Sequence, residues 1–140
     1  MVIVGLVLSY SKPNNSDSSK QCHIDLGQEC VLFHNNQEVS VQFLQAIEVE
    51  EELKLKISVP KQFKIVNMWV QGVNMFMGKH SIFTDAVSLE LGQRVYSAHL
   101  FLGSCSEPKM KWQLIIQTQN SQKLVESWFF NFNTDRNNND

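Results

Sequence analysis

The sequence predicts an all-β fold, an immunoglobulin-like antiparallel β-sandwich of about seven strands. Three observations carry that prediction. Several stretches alternate apolar and polar residues with a period of two. Turn signals recur every ten residues or so. No window of about 12 residues has a convincing helical period.

The elements follow in chain order. Residues 1–10, MVIVGLVLSY, are apolar and uncharged, about half the ~20 residues a membrane-spanning helix needs. Three readings fit them: the C-terminal end of a membrane anchor, a remnant of a signal peptide's apolar region, or a first β-strand. Residues 11–21, SKPNNSDSSKQ, read as a flexible linker. An apolar stub, a linker and then a domain over 22–133 is the layout of a tethered extracytoplasmic protein.

Cys22 and Cys30 flank the turn-like HIDLGQE. In an oxidising compartment they would close a small loop; in the cytosol they would be two thiols. Strand signals then come at Val39–Phe43 and at Leu53–Val59, where Leu53, Leu55, Ile57 and Val59 share one face and Pro60 follows. They recur at Phe63–Gln71, Val87–Leu91, Arg94–Leu102, Met110–Thr118 and Val125–Phe132. The acidic run Glu48–Glu52 reads as a solvated loop, and Thr134–Asp140 as a frayed tail.

Composition excludes some functions. With 140 residues the chain builds one domain. Twelve basic against 14 acidic residues, a net charge of -2, leave no electrostatic footprint for nucleic acid. Glycine-rich phosphate loops, a GxSxG elbow and the CxxC or HExxH zinc spacings are all absent from the sequence, so the expectation is a non-enzyme with no catalytic residues.

The segment that invites chemistry is NMFMGKH, residues 74–80. Met75 and Met77 are two apart, so an extended backbone points both thioethers to one side. Gly72 and Gly78 bracket them, which suits a close backbone approach. His80 follows, and FLGSCSEPKM adds Cys105 and Met110. Thioether, thiolate and imidazole are soft or borderline donors that suit Cu(I). The metal candidates are therefore Met75, Met77, Met110, Cys105 and His80. Two other readings stand beside this one. Methionine fills core gaps next to aromatic residues, and Met/Phe/Trp segments make apolar docking surfaces. Cys105 also has a redox reading, as a reactive thiolate.

The blocks MWVQGVNMFMGKHSIF and FLGSCSEPKMKW resemble those of small membrane-anchored periplasmic proteins of Gram-negative bacteria that have no established activity. The resemblance covers roughly residues 20–132. It implies an N-terminal anchor, a short cysteine pair and an all-β domain on the outer side of the inner membrane. The chain is more loosely similar to FixH-like and YtkA-like copper-accessory domains, with Met75, Met77, Cys105 and Met110 in comparable blocks. The expectation is a non-enzymatic periplasmic accessory protein, anchored to the inner membrane, binding Cu(I) through a Met-rich site. Its partner would be a membrane protein or a copper-handling protein. The alternative is a metal-free interaction module that docks a membrane complex through an exposed Met/aromatic patch.

Overall fold

The computed structural model describes residues 21–24, 29–103 and 107–135. The stub at 1–10, most of the linker, Cys105 and the end of the tail lie outside the described residues. Ten strands are described: β1 Gln21–His23, β2 Glu29–His34, β3 Gln37–Phe43, β4 Glu52–Pro60 and β5 Lys64–Gly72, then β6 Lys79–Ser81, β7 Phe83–Glu90, β8 Gln93–Phe101, β9 Lys109–Gln119 and β10 Val125–Asp135. No helix among the described residues is long and apolar enough to cross a membrane.

The seven expected strands are all present, and β1, β2 and β6 are additional. β1 and β6 span three residues each, too few for a period to register. β2 follows a segment that reads as a turn, and only Cys30 and Leu32 mark its buried face. Two further boundaries move. Gln21, assigned to the linker, opens β1, and Thr134 and Asp135, assigned to the tail, close β10.

The strands form two five-stranded sheets, in the orders β1-β10-β9-β5-β6 and β2-β3-β4-β8-β7. Within them β3-β4-β8-β7 and β10-β9-β5 reproduce the ABED and GFC orders of an immunoglobulin sandwich, with β6 as an added edge strand beside β5. All pairings are antiparallel except β1 with β10. Asn35 and Asn36, at φ 54 and 64, join β2 to β3 in a two-residue turn. Asparagine tolerates the left-handed region such turns need.

The core lies between the sheets. On β4 the alternation of Leu53, Leu55 and Ile57 with Lys54 and Lys56 becomes buried against exposed. Opposite it, β9 and β10 contribute Met110, Trp112, Leu114, Ile116, Trp128, Phe130 and Phe132, none more than 2% exposed. Each fully buried large side chain stabilises the fold by roughly 1.5–3 kcal/mol. Both buried indoles are satisfied by threonines of the same hairpin. Trp112 Nε1 donates to Thr134 Oγ1 and Trp128 Nε1 to Thr118 Oγ1, each at 2.9 Å. Thr134 is therefore held inside rather than frayed, and Asp135 pairs with Lys109 at 3.8 Å.

Cys30 is buried and disulfide-bonded. Cys22, the partner that the sequence reading offers for an oxidising compartment, has its side chain outside what the structure describes.

Candidate functional site at one end of the sandwich

The connections after β3, β5 and β8 all leave from the same end of the sandwich. They are residues 44–51, 73–78 and 102–108. Both motif blocks picked out in the sequence belong to this end, although 20 residues separate NMFMGKH from FLGSCSEPKM along the chain. Backbone bonds tie the first connection to the third, and the second to β9. Glu50 N donates to Leu102 O at 2.8 Å, and Val73 N to Lys111 O at 2.7 Å.

Asn74 fixes the 73–78 loop. Its Nδ2 donates to Lys109 O at 3.0 Å, and its Oδ1 accepts from Lys111 N at 2.8 Å. One side chain thus serves as both donor and acceptor for the first turn of β9. The sequence shows that asparagine in the middle of the motif, but not the strand it grips, because the contact crosses from one block to the other.

Gly72 lets the loop fold back. A Cβ there would collide with the Met75 carbonyl oxygen and lie 3.0 Å from Met110 Cε. Glycine is needed at this position for a close approach of backbone to backbone. Gly78, at φ 73, closes the loop in the left-handed region with open space around it.

The candidate ligands fall as follows. Met75 and Met77 are partly buried against the core, with the Phe76 side chain between them 90% exposed. That is the alternation an extended segment requires. Met110 is 2% exposed and touches the Gly72 corner that also holds the Met75 carbonyl. His80 shares a register position with Val70 on β5 and packs edge-on to Trp112, with 5.4 Å between ring centroids. Its Nε2 is 3.9 Å from where a Cβ on Gly103 would be. The structure therefore brings the Met75 backbone and the Met110 side chain together at Gly72, and sets His80 against β9 and the start of the 102–108 connection. Cys105, within that connection, is outside the described residues.

One atom at this end is left over. His80 Nδ1 is buried and has no hydrogen-bond partner among the described residues. A buried polar atom without a partner costs about 1–3 kcal/mol, so it calls for an explanation. The described residues, at this end as elsewhere, contain no group of three or more His, Cys, Asp and Glu side chains placed to hold a metal ion. A metal at this end would depend on the thioethers.

Phe76 stands clear of the surface while Met75 and Met77 on either side of it are partly buried. A histidine–carboxylate pair has no signal in the sequence. His99 Nδ1 is 2.8 Å from Asp85 Oδ1 and its ring stacks on Phe83 at 5.4 Å, which joins β7 to β8 on the outer face. His99 and Asp85 are 14 residues apart, and only strand pairing makes them neighbours.

Fold and site together define a class: an immunoglobulin-topology sandwich with a methionine-flanked loop clamped at one end. No protein-family model matches the chain, and no curated protein matches it. Among solved structures it is similar to a DUF4426 family protein from Pseudomonas aeruginosa PAO1. The two share 10% sequence identity, with a TM-score of 0.54 over 76% of this chain and 94% of that one. At this identity the likeness is one of fold.

Proposed function

We propose that the chain is a non-enzymatic periplasmic accessory protein that binds Cu(I) at the loop end of the sandwich. Met75, Met77 and Met110 supply thioethers, and His80 or Cys105 completes the site. The observation that carries this reading is that the backbone of the Met75 block folds onto the Met110 side chain at Gly72, at the same end of the sandwich as a buried imidazole nitrogen with no partner among the described residues. Thioethers are neutral. They sit half-buried without metal at little cost, and they bind Cu(I) without releasing a proton. The disulfide on Cys30 supports a location outside the cytoplasm, where such bonds persist. The apolar residues 1–10 would be the anchor to the inner membrane, and the resemblance to anchored periplasmic proteins is consistent with that.

An anaerobic Cu(I) titration of the full chain against a colorimetric competitor tests the site. The parent is expected to bind one equivalent. M75L/M77L, a nearly volume-conserving change, is expected to lose binding and keep its β-sheet circular dichroism. Equal binding by parent and double variant would remove Met75 and Met77 from the site.

Phe76 favours a second reading, a metal-free interaction module. A phenylalanine 90% exposed on a loop fixed by two Asn74 hydrogen bonds is a preorganised apolar anchor, with Val73, 57% exposed, at the loop's start. Its partner would be a protein of a membrane complex. F76A is expected to abolish recovery of that partner from solubilised membranes without changing the unfolding midpoint. Unchanged recovery would exclude Phe76 as the anchor.

A further inference from the structure

We propose that β7 is a self-association edge: two copies of this chain pair β7 against β7 across a two-fold axis and join their β2-β3-β4-β8-β7 sheets into one.

Among the described residues four strands end the two sheets: β1, β6, β2 and β7. An edge strand presents unpaired backbone groups, and proteins usually shorten, charge or bend it. β1 and β6 are three residues long. β2 has six residues, carries Glu29 and His34 at its ends, and contains the disulfide-bonded Cys30. β7 has eight residues, FTDAVSLE, with neither proline nor lysine. Its one irregularity, between Thr84 and Ala86, lies near its start and leaves residues 86–90 in regular register with β8.

All eight residues of β7 are exposed. This includes Val87 and Leu89, 48% and 64% exposed, which pair with Tyr96 and Arg94 on the core-facing side of β8. The edge strand of the opposite sheet is only the three residues of β6, too short to cover them. Leu91 extends the patch. It is fully exposed and held at φ 51, a conformation that costs a leucine more than an asparagine. A turn built for solvent alone would gain nothing from a leucine there.

The sequence of β7 fits itself in one antiparallel register. With Ser88 opposite Ser88 of the second copy, Val87 faces Leu89 and Leu89 faces Val87, an apolar cross-strand pair made twice on the core side. On the outer side Ala86 faces Glu90. Asp85 stays on its own His99, and Glu90 keeps the hydroxyl of Ser88, which donates to it at 2.9 Å. No two like charges stand opposite. A register centred between Val87 and Ser88 would set Asp85 against Glu90 and put core-side residues opposite outer-side ones, so it is disfavoured. An isologous pair of this kind is self-limiting, because each β7 is consumed by the other.

The experiment is sedimentation equilibrium on the full chain, with crosslinking of two cysteine variants. The wild-type chain is expected to reach twice the monomer mass as its concentration rises. V87K/L89K, which sets like charges opposite each other across the axis, is expected to stay at the monomer mass with unchanged circular dichroism. Under mild oxidation, S88C is expected to give a covalent dimer that neither the wild-type chain nor A86C forms, since only position 88 meets its own copy. A wild-type chain that remains monomeric at its highest soluble concentration would overturn the proposal. So would a dimer that survives V87K/L89K, or crosslinking by A86C in place of S88C.

Discussion

At the scale of single residues, the buried side-chain polar atoms among the described residues divide into those with a partner and one without. The two core indoles have theirs, and the cost of removing one is predictable. T134V keeps the volume of Thr134 but leaves Trp112 Nε1, in a side chain with 0% exposure, without an acceptor. The variant is expected to lose about 1–3 kcal/mol in urea denaturation with no change in the slope. A loss indistinguishable from zero would mean that the indole finds another acceptor. His80 Nδ1 already stands in the condition that T134V would create for Trp112. Buried and without a partner among the described residues, it is the imidazole nitrogen that the proposed copper site would use. Met110 is more equivocal in chemical terms, because a thioether at 2% exposure also serves as packing against Gly72.

At the scale of elements, the long strands were legible in the sequence and the short ones were not. The alternation along β4 announced itself because lysines mark its wet face. β9 and β10 were visible through their aromatics and β-branched residues, whose bulk suits a pleated surface. β6 was not visible: it exists because it pairs with Trp69–Gln71 on β5, not because three residues prefer to be extended. The end of β10 was misread for a related reason. TDRNNND is a polar composition, and only the hydrogen bond from Trp112 holds Thr134 inside. The candidate site was half legible. The spacing of Met75 and Met77 gave their common direction, and Gly72 its close approach. The docking of the loop onto β9 through Asn74 depends on tertiary structure and has no local signature. N74A removes two hydrogen bonds from an exposed loop base and is expected to cost about 1 kcal/mol. It is also expected to speed amide exchange at Val73 and Lys111. Unchanged exchange there would mean that the Val73–Lys111 backbone bond and the packing of Met75 and Met77 hold the loop without Asn74.

At the scale of the whole molecule, the immunoglobulin order gathers chemistry at one end and apolar edge at another. The connections at 44–51, 73–78 and 102–108 bring an acidic run, a methionine pair and a Gly/Pro-flanked segment together. The order also makes the last hairpin indispensable. A chain ending at Leu124 would lack β10, which supplies Trp128, Phe130 and Phe132 to the core and pairs with both β9 and β1. Such a chain is expected to show no cooperative thermal transition. A sharp transition would show that the remaining strands form a core of their own. The parallel pairing of β1 with β10, Cys22 beside Phe130 and His23 beside Asn131, joins the two ends of the described chain. During synthesis β1 leaves the ribosome well before its mate β10. Until β10 emerges, β1 lacks its sheet neighbour, and the contact it finally makes spans nearly the full length of the described fold. Contacts of such long range are slow to form, so this first described strand is fastened in place only after nine others have been made.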